Sequence, residues 1–581
     1  MTRLRQMNKN SRRRGARVCA VARLACVVFV CFCTVPAPLA QTAAQADAKL
    51  GERIYREGVL PSGARLRARV QGDVVVEGAQ FNCTACHRRS GFGSTEGAAF
   101  VPAVTGPALF GQRHSQRADL FRRLFQEVQP RRFRARVRDP RVRPAYTDMT
   151  LAVALREGRD PTGRELDPLM PRYQLGDEDL GHLAAYMKSL SGAPAPGVTR
   201  SEIHFATVVA EGVGREKRRA MLDVMEAYIR RKNADTLGLL RRPGHSAFYD
   251  EESYAPLRAW VLHAWELKGA EETWGTQLDA FYRERPVFAL LGGGADGGWQ
   301  HVHDFCEREE VPCLFPNTDL PVAAPPGAYT LYLSKGLTVE AEALARHLRE
   351  PTRPGLPAHI LQIFRAGGGG LAPARALRGA LRQQGMEVPR ERMIPRAQKL
   401  TRDFWESLLE DERPSALVLW LDDADLETLN SARVSAADTV RQVYLSSSLL
   451  KAAQQPLTSL RDRVYLTYPY ALPQGREPNL HRARAWLRSR GVGGAHERIQ
   501  LNTYFALSVA DYSLTRLAGN FFRDYFVECV EQETESTPNP GVFPRLSLGP
   551  GQRFASKGSY IVRPSDGAHG GIEAASDWLV P

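Results

Sequence analysis

The sequence predicts a multidomain protein whose larger, C-terminal region is an α/β structure with two lobes. Short apolar segments that read as strands alternate there with segments of helical periodicity, a pattern typical of parallel sheets. The alternation is interrupted at about 329–348, and two separate runs predict two lobes. The strand-like segments are 203–210, 286–291, 311–315, 359–364, 415–421, 443–445 and 464–467.

Domain boundaries follow from composition. The stretch SGAPAPG at 191–197 is rich in small residues and proline, which is typical of an inter-domain linker. The length of 581 residues allows two to four domains. We expect these segments: a first domain at 47–191, a linker at 192–200, the α/β region at 201–560 with lobes at about 201–340 and 355–500 and a C-terminal segment crossing back, and a tail at 561–581.

The N-terminus has the pattern of a secretory signal peptide. Residues 1–23 carry eight basic residues and no acidic one, and a twelve-residue apolar run follows at 24–35. That run is shorter than the roughly 20 residues that cross a bilayer. We expect cleavage between 40 and 46, a periplasmic protein and no stable membrane span; the alternative is an uncleaved anchor. Without the leader the net charge falls from +14 to about +6, too little to indicate nucleic-acid binding.

The most informative motif is CTACH at 83–87. Cys83, Cys86 and His87 have the C-x-x-C-H spacing of covalent haem c attachment, in which two thiols bind the vinyl groups and the imidazole ligates iron. A redox dithiol would need a strand-to-helix context that does not precede the motif. A zinc site would need a second pair of ligands, and the next cysteine is Cys306. A chance disulfide is the remaining alternative, and the predicted cofactor is one haem c.

Residues 145–190 resemble the second half of a class I cytochrome c. The segment holds a helix, the turn GRDPTG at 158–163, a loop that delivers Met170, and a closing helix. The sequence GERIY at 51–55 matches the start of the family. The resemblance implies an all-α cytochrome c domain with His87 as the proximal iron ligand and Met170 as the distal one.

Other side chains compete for the distal position. Met149 and Met187 stand at helical positions, where methionine more often fills a core. His114 and His182 are more typical of surface or partly buried histidines. Met170 precedes a proline in a loop, so its thioether can project without interrupting a helix. A thioether ligand would raise the reduction potential relative to two histidines.

An arginine-rich insertion separates the two expected ligands. His87 and Met170 are 83 residues apart, farther than in a minimal cytochrome c. Residues 129–143 hold seven arginines and two prolines, which indicates an exposed loop. Two interpretations stay open: residues 131–143 dock an acidic redox partner, whose encounter rate the charge would raise, or they are a solvated insertion.

The α/β region resembles the type I periplasmic solute-binding fold, the family of branched-chain amino-acid receptors. The likeness rests on the order of strands and helices and on the segments 308–316 and 546–558. In such folds a ligand binds between the lobes, at loops that follow the carboxyl ends of strands. Ligand-binding candidates at such positions are Gly293, Gly294, Arg365, Asp422, Asp423, Ser446, Ser447, Tyr468 and Tyr470.

These candidates have plausible chemistry for a small ligand. Glycine N–H groups after a strand suit a carboxylate, Arg365 suits an anion, and Asp422 or Asp423 suits an amine. The same residues could instead form turns and a helix N-cap. A pair of lobes that has lost its ligand is a further alternative.

The remaining cysteines predict structure rather than catalysis. Cys306 and Cys313, seven positions apart, are expected to form a disulfide in an oxidising periplasm. Cys529 is expected to be buried on an amphipathic helix. No Ser-His-Asp order, H-E-x-x-H motif or paired carboxylates indicate a hydrolase, so no catalytic residue is predicted.

The sequence as a whole predicts a periplasmic mono-haem c-type cytochrome that carries electrons. Its solute-binding-like module would sense or bind a small molecule or recruit a redox partner protein. The alternatives are a haem-bearing subunit of a periplasmic dehydrogenase and the solute-binding component of an ABC-type transporter. Catalysis would need a second redox centre, and only one C-x-x-C-H motif is present, which favours a non-catalytic protein.

Overall fold

The computed structural model divides the chain into two compact units. One contains the residues up to Cys86 together with Ala103–Leu190, and the other contains His87–Pro102 and Ser191–Pro581. The division therefore separates Cys86 from His87 inside the CTACH motif. The structure describes residues 37–71, 73–96, 99–111, 143–240, 257–323, 327–349, 359–431, 439–454, 463–494, 496–565 and 571–581.

The predicted leader at 1–46 and loop at 131–143 are largely outside these ranges; only 37–46 and Arg143 are described. The helices are α1 (Ala37–Glu57), α2 (Cys83–His87), α3 (Gly106–Phe110), α4 (Asp148–Glu157), α5 (Asp177–Ser189), α6 (Arg215–Leu240), α7 (Trp274–Glu284), α8 (Gln300–Arg308), α9 (Leu337–Leu348), α10 (Gly368–Gln383), α11 (Arg402–Glu412), α12 (Asp423–Ser431), α13 (Leu450–Gln454), α14 (Pro473–Ser489), α15 (Glu497–Arg516) and α16 (Arg523–Ser536). Within the described ranges, no helix combines the length and apolar character needed to span a membrane.

Short strands accompany these helices. They are β1 (Arg67–Val70), β2 (Val74–Glu77), β3 (Ser94–Glu96), β4 (Ala99–Val101), β5 (Arg172–Tyr173), β6 (Glu202–Val209), β7 (Ala259–Glu266), β8 (Ala289–Leu291), β9 (Cys313–Leu314), β10 (Thr330–Leu331), β11 (Ile360–Arg365), β12 (Arg390–Ile394), β13 (Ala416–Trp420), β14 (Gln442–Leu445), β15 (Val464–Tyr468), β16 (Tyr560–Pro564) and β17 (Ile572–Ala574).

The first unit is mainly helical but not all-α, which corrects the prediction. It contains an antiparallel sheet of order β2-β1-β5. Strands β1 and β2 pair in the register Val70↔Val74, and Asp73 in the turn has a φ of 61°. Three consecutive valines at 74–76 favour an extended backbone. A four-residue strand of this kind is too short to show the alternation by which strands are recognised in a sequence.

Helices α1 and α5 cross at a glycine. A Cβ on Gly51 would lie 2.0 Å from the His182 carbonyl oxygen and 2.8 Å from the Tyr186 Cβ, so only glycine allows the two backbones to approach this closely. One turn further along α1, the rings of Tyr55 and Tyr186 pack with their centroids 5.4 Å apart. This crossing closes the apolar core of the first unit, in which Tyr55 is fully buried.

The second unit has the predicted two-lobed α/β architecture. Its first sheet is parallel with strand order β10-β9-β8-β6-β7. Its second sheet has the order β12-β11-β13-β14-β15-β16-β17, with only β16 and β17 antiparallel to their neighbours. The central strands are buried on both faces, which explains their continuous apolar runs.

The chain crosses between the lobes three times, at about 332–336, 469–472 and 556–559. Leu480 and Leu501, from α14 and α15, share an apolar cluster with Phe205 of β6. The second lobe therefore ends near 470 rather than 500 as predicted, because the amphipathic pattern of a helix does not specify which sheet it covers. Residues 561–581 are not a loose tail, since β16 and β17 extend the second sheet.

The helix crossing at Gly51 generates a stability prediction. Gly51→Ala is expected to destabilise the first unit by about 1–3 kcal/mol, because the added methyl group forces the two backbones apart. Gly181→Ala on α5 is the matched control, since its Cβ would meet nothing within 4 Å and alanine is the better helix former. Differential scanning calorimetry of the full chain measures both, and equal stability of the two variants would contradict the close approach.

Candidate functional site

Helix α2 presents the two cysteines of the motif. Asn82 caps its start: the Asn82 Oδ1 accepts a hydrogen bond from the Ala85 N–H at 3.0 Å, and the Asn82 Nδ2 donates to the Arg56 carbonyl at 2.5 Å. A spacing of three residues puts Cys83 and Cys86 on one face of the helix. Cys83 is buried and Cys86 is half-buried. Burial, with Cys86 nearby, raises the pKa of Cys83 to about 12.

The hydrogen bonding of His87 fixes its tautomer. Its Nδ1 lies 3.0 Å from the carbonyl oxygen of Pro102. A carbonyl only accepts, so Nδ1 carries the proton and Nε2 is the nitrogen with a lone pair for a metal. Burial lowers the pKa of His87, which favours the neutral ring, and the bond to Pro102 opposes this shift. A histidine that ligates a metal usually has such a second bond.

Met170 and Cys83 pack against the same apolar cluster of the first unit. The loop before β5 is fixed by the Met170 N–H, which donates to the Asp167 carbonyl at 3.0 Å, and by Arg172, which donates to the Met170 carbonyl. Burial raises the pKa of Tyr173 well above its ordinary value, and the nearby thiols of Cys83 and Cys86 add to this rise. Tyr173, three residues after Met170, therefore lies near the cysteines.

The competing distal ligands have other environments. Met149 is 78 % exposed, whereas Met187 is 4 % exposed within the core cluster. The Nδ1 of His182 lies 3.2 Å from the Asp47 carboxylate. His114 lies outside the described residues. Of the described candidates, Met170 is the one in a loop next to the cysteine-bearing core.

The residue types match those that haem c requires, namely two thiols, an imidazole with a defined tautomer and a thioether. Cys83, Cys86 and Met170 belong to the first unit and His87 to the second, so the match is one of residue chemistry. Across the described ranges, no group of three or more His, Cys, Asp and Glu residues could hold a bare metal ion.

A second candidate site is a cleft between the lobes of the α/β unit. Its cavity volume is about 80 Å³. Tyr470 and Pro469 adjoin one lobe crossing, and Ser334 and Gly336 adjoin another. The polar and charged residues that line it are Lys217, Asp296, Asn317, Thr318, Asp319, Ser334, Glu340, Tyr470, Arg498 and Asn502.

The charges of the cleft are paired across its walls. Lys217 donates to the Asp296 carboxylate at 2.8 Å. Arg498 lies 3.8 Å from the Asp319 carboxylate, donates to the Tyr470 hydroxyl, and sits 5.0 Å from the centroid of that ring. The cleft thus offers two cations and two carboxylates, all at least partly exposed, to a solute.

Glu340 is a buried carboxylate at the edge of the cleft. It accepts hydrogen bonds from the Ser447 N–H at 2.9 Å, the Ser447 hydroxyl at 2.6 Å and the Thr467 hydroxyl at 2.5 Å. Burial raises its pKa, and these donors oppose the rise. Its oxygens are committed to the second lobe, so its role in the cleft is to hold the loop at 446–447 in position.

Among the predicted ligand-binding residues, only Tyr470 lines the cleft, and Ser447 contacts it through Glu340. Arg365 lies elsewhere: it donates to both oxygens of Asp425, at 2.7 and 2.5 Å, and to three backbone carbonyls. Its guanidinium is therefore used to hold the second lobe. Asp422 is exposed, 3.8 Å from Arg365, and Asp423 begins α12.

The other candidates are also structural. The Gly294 N–H donates to the Val208 carbonyl at 2.9 Å, and a Cβ on Gly293 would lie 2.9 Å from the Trp299 ring. These glycines allow the chain to pass Trp299 and bring Asp296 into the cleft. Ser446 caps a short turn through the Ser448 N–H, and Tyr468 is buried in β15.

Sequence reasoning missed most residues of the cleft. Asp296 and Asn317 follow β8 and β9, so the rule of strand ends could have found them. Glu340, Arg498 and Asn502 stand on helices, and no local signal in the sequence distinguishes them from ordinary helix residues.

The predicted Cys306–Cys313 disulfide is not formed in the structure. Both side chains are fully buried free thiols in contact with each other. Burial, and then the hydrogen bond to Cys313, raises the pKa of Cys306 well above its ordinary value. Cys529 is buried on α16, as predicted.

Comparison with known proteins gives similar solved structures only. No protein-family model matches the chain, and no curated protein sequence matches it. A fatty acid ABC transporter substrate-binding protein from Thermomonospora curvata is 14 % identical with a TM-score of 0.48, over 67 % of this chain and 95 % of that chain. A putative branched-chain amino acid ABC transporter from Rhodospirillum rubrum is 15 % identical with a TM-score of 0.45, over 66 % and 100 %.

A branched chain amino acid ABC transporter from Thermus thermophilus with bound valine is 12 % identical with a TM-score of 0.46, over 66 % of this chain and 98 % of that chain. The neighbours named here are thus described as solute-binding or transport proteins. At these identities and scores the likeness assigns neither a family nor a ligand to this chain.

Proposed function

We propose that this protein is an exported solute-binding protein that also carries one covalently attached haem. The α/β unit binds a small solute in the cleft between its lobes, as the solute-binding component of a transporter or as a sensor. The first unit holds the haem for electron transfer. The two activities are argued separately, because a different observation supports each.

The charged cleft supports solute binding. It lies between two lobes joined by three crossings, and such an arrangement allows closure around a ligand by hinge motion. The cleft suits a small molecule with at least one charged group. Its two cations are Lys217 and Arg498, and its two exposed carboxylates are Asp296 and Asp319.

The tautomer of His87 supports haem attachment. Its bond to Pro102 leaves Nε2 available to bind iron, Cys83 and Cys86 would supply the thioether bonds, and Met170 would supply the second iron ligand. The haem supplies one-electron transfer at its iron. The chain contributes an apolar cluster that contains buried Cys83 and against which half-buried Met170 packs.

Location and partners follow from these roles. The leader predicted at 1–46 supports export to the periplasm, the compartment in which haem is attached and solutes are captured. A redox partner protein, acidic in its docking face, is proposed for the arginine-rich loop at 131–143. A membrane permease is the partner that a transport role requires.

Ligand binding in the cleft is testable with defined probes. Valine, leucine and hexanoate are tested one at a time, and at least one of them is expected to raise the Tm. A ligand at about 100 times its Kd stabilises the native state by about 2.7 kcal/mol. Arg498→Ala is expected to weaken that compound about 10- to 100-fold, the loss of one charge-assisted hydrogen bond. Isothermal titration calorimetry measures the Kd.

Arg378→Ala is the control for this experiment, because Arg378 pairs with Glu391 at 2.7 Å and does not line the cleft. Its Kd is expected to equal that of the wild type. Equal weakening in both variants would count against the cleft as the binding site.

Covalent attachment of haem is tested at the two cysteines. Cys83→Ala and Cys86→Ala each remove one thioether bond, so the pyridine haemochrome spectrum of each variant is expected to shift from that of the wild type. Cys529→Ala removes a cysteine of the α/β unit and is expected to keep the wild-type spectrum. Unchanged spectra in both motif variants would refute the attachment.

The distal ligand is tested at Met170. Met170→Ala is expected to lose the weak long-wavelength absorption of methionine-ligated ferric haem, and Met170→His to lower the reduction potential. Met149→Ala is the control, because Met149 is 78 % exposed. Persistence of the band in Met170→Ala would instead identify another ligand.

A further inference from the structure

The segment that follows the cysteines is built into the α/β unit. His87–Pro102 belongs to that unit, and its strands β3 and β4 form a small hairpin. The His87 carbonyl accepts the Gly93 N–H at 3.1 Å, while its ring donates to the Pro102 carbonyl. The orientation of His87 therefore depends on how residues 87–102 are held.

One carboxylate holds this segment with both of its oxygens. The Ser90 N–H donates to Glu528 Oε1 at 2.9 Å, and the Ser90 hydroxyl donates to Glu528 Oε2 at 2.6 Å. Ser90 is fully buried, and its carbonyl accepts the Ser191 hydroxyl at 2.8 Å. Ser90 is thus held in place through both its backbone and its side chain. It lies three residues after His87 in the sequence.

Neighbouring residues of α16 complete the attachment. The Phe92 ring stacks on Tyr525 with centroids 4.2 Å apart and planes at 12°. Arg89 Nε donates to the Asp524 carboxylate at 3.2 Å, and the Tyr329 hydroxyl donates to the same oxygen at 2.8 Å. Positions 524, 525 and 528 lie on one side of the helix, so a single helical face carries the segment.

The charge of Glu528 is sensitive to pH near neutrality. Burial raises its pKa to about 7, and the Ser90 donors oppose this rise. Asp524 and Glu531 on the same helix add to it, with Tyr525 and Cys529 also nearby. From the docked segment Ser90 faces it directly, and Arg88 and Arg89 lie close to Glu531. The strength of the attachment consequently varies with protonation of a single carboxyl group.

We propose that Glu528 is a positioning residue for His87, holding the histidine-bearing segment on α16 through Ser90. The role rests on the proposed haem, because the imidazole is then an iron ligand whose orientation influences the reduction potential. Glu528 would act through Ser90 and the backbone that joins Ser90 to His87.

The test uses the full chain and the variants Glu528→Gln, Ser90→Ala and Glu531→Gln. Glu531 is the matched control, since burial raises its pKa to about 7 as well, but it bonds the Gly551 N–H at 2.7 Å instead of Ser90. Ser90→Ala changes no charge and removes the hydroxyl that donates to Glu528. Amide hydrogen exchange by mass spectrometry and the reduction potential as a function of pH are measured for each protein.

Glu528→Gln and Ser90→Ala are expected to exchange amide hydrogens in 87–96 about tenfold faster than the wild type, and Glu531→Gln at the wild-type rate. The wild-type potential is expected to fall as pH rises through about 7, because an ionised Glu528 favours the ferric state. In Glu528→Gln that fall is expected to be smaller, and in Ser90→Ala the potential is expected to shift without a change of charge.

Unchanged exchange in both Glu528→Gln and Ser90→Ala would overturn the attachment. Faster exchange with an unchanged potential would overturn the positioning role and leave the haem intact. A wild-type protein without a haemochrome spectrum would refute the proposed haem, and with it the role of Glu528 toward a ligand, while the exchange data would still establish whether the segment is held as described.

Discussion

Three crossings of the chain between two α/β lobes determine the position of the cleft and of the elements around it. Two of them are bonded to each other, since the Ser556 N–H donates to the Leu333 carbonyl at 2.7 Å. Residues next to the crossings line the cleft. A hinge at these segments can move the lobes without disturbing either sheet, because the sheets are buried on both faces and packed independently.

The ion pairs in the cleft set a requirement on its ligand. Lys217 is bonded to Asp296, and Arg498 is satisfied by Tyr470 with Asp319 nearby. A solute that bonds one of these cations must compete with its internal partner and leave that carboxylate solvated or paired anew. A ligand with both a positive and a negative group can exchange partners with a whole pair, whereas an uncharged apolar ligand would leave the pairs intact and gain little from them.

The sequence predicted the strands and helices of the α/β unit better than the contacts between their side chains. Apolar runs such as 415–421 identified the strands, because burial on both faces leaves a continuous pattern. Arg365 was assigned to the ligand since it ends a strand, but its partner Asp425 becomes a neighbour only when β11 and β13 pair. No pattern in the sequence identified Arg498 as a cleft residue, because it lies on a helix and its partner Tyr470 is 28 positions away. Strand-end rules locate loops, and only the assembled fold decides which side chains they oppose.

The CTACH motif shows the same distinction at short range. Five consecutive residues predict the chemistry, because thiol spacing and an adjacent imidazole are local properties. Their orientation is not local: Cys83 packs in the first unit, whereas His87 begins the segment 87–102 of the second unit, in which a Cβ on Gly93 would lie 2.2 Å from the Val101 carbonyl oxygen. Ser90 of that segment is bonded to Glu528, 438 positions away. The segment that carries the imidazole is therefore bonded to a helix of its own unit that lies far along the chain, a contact that no local sequence pattern predicts.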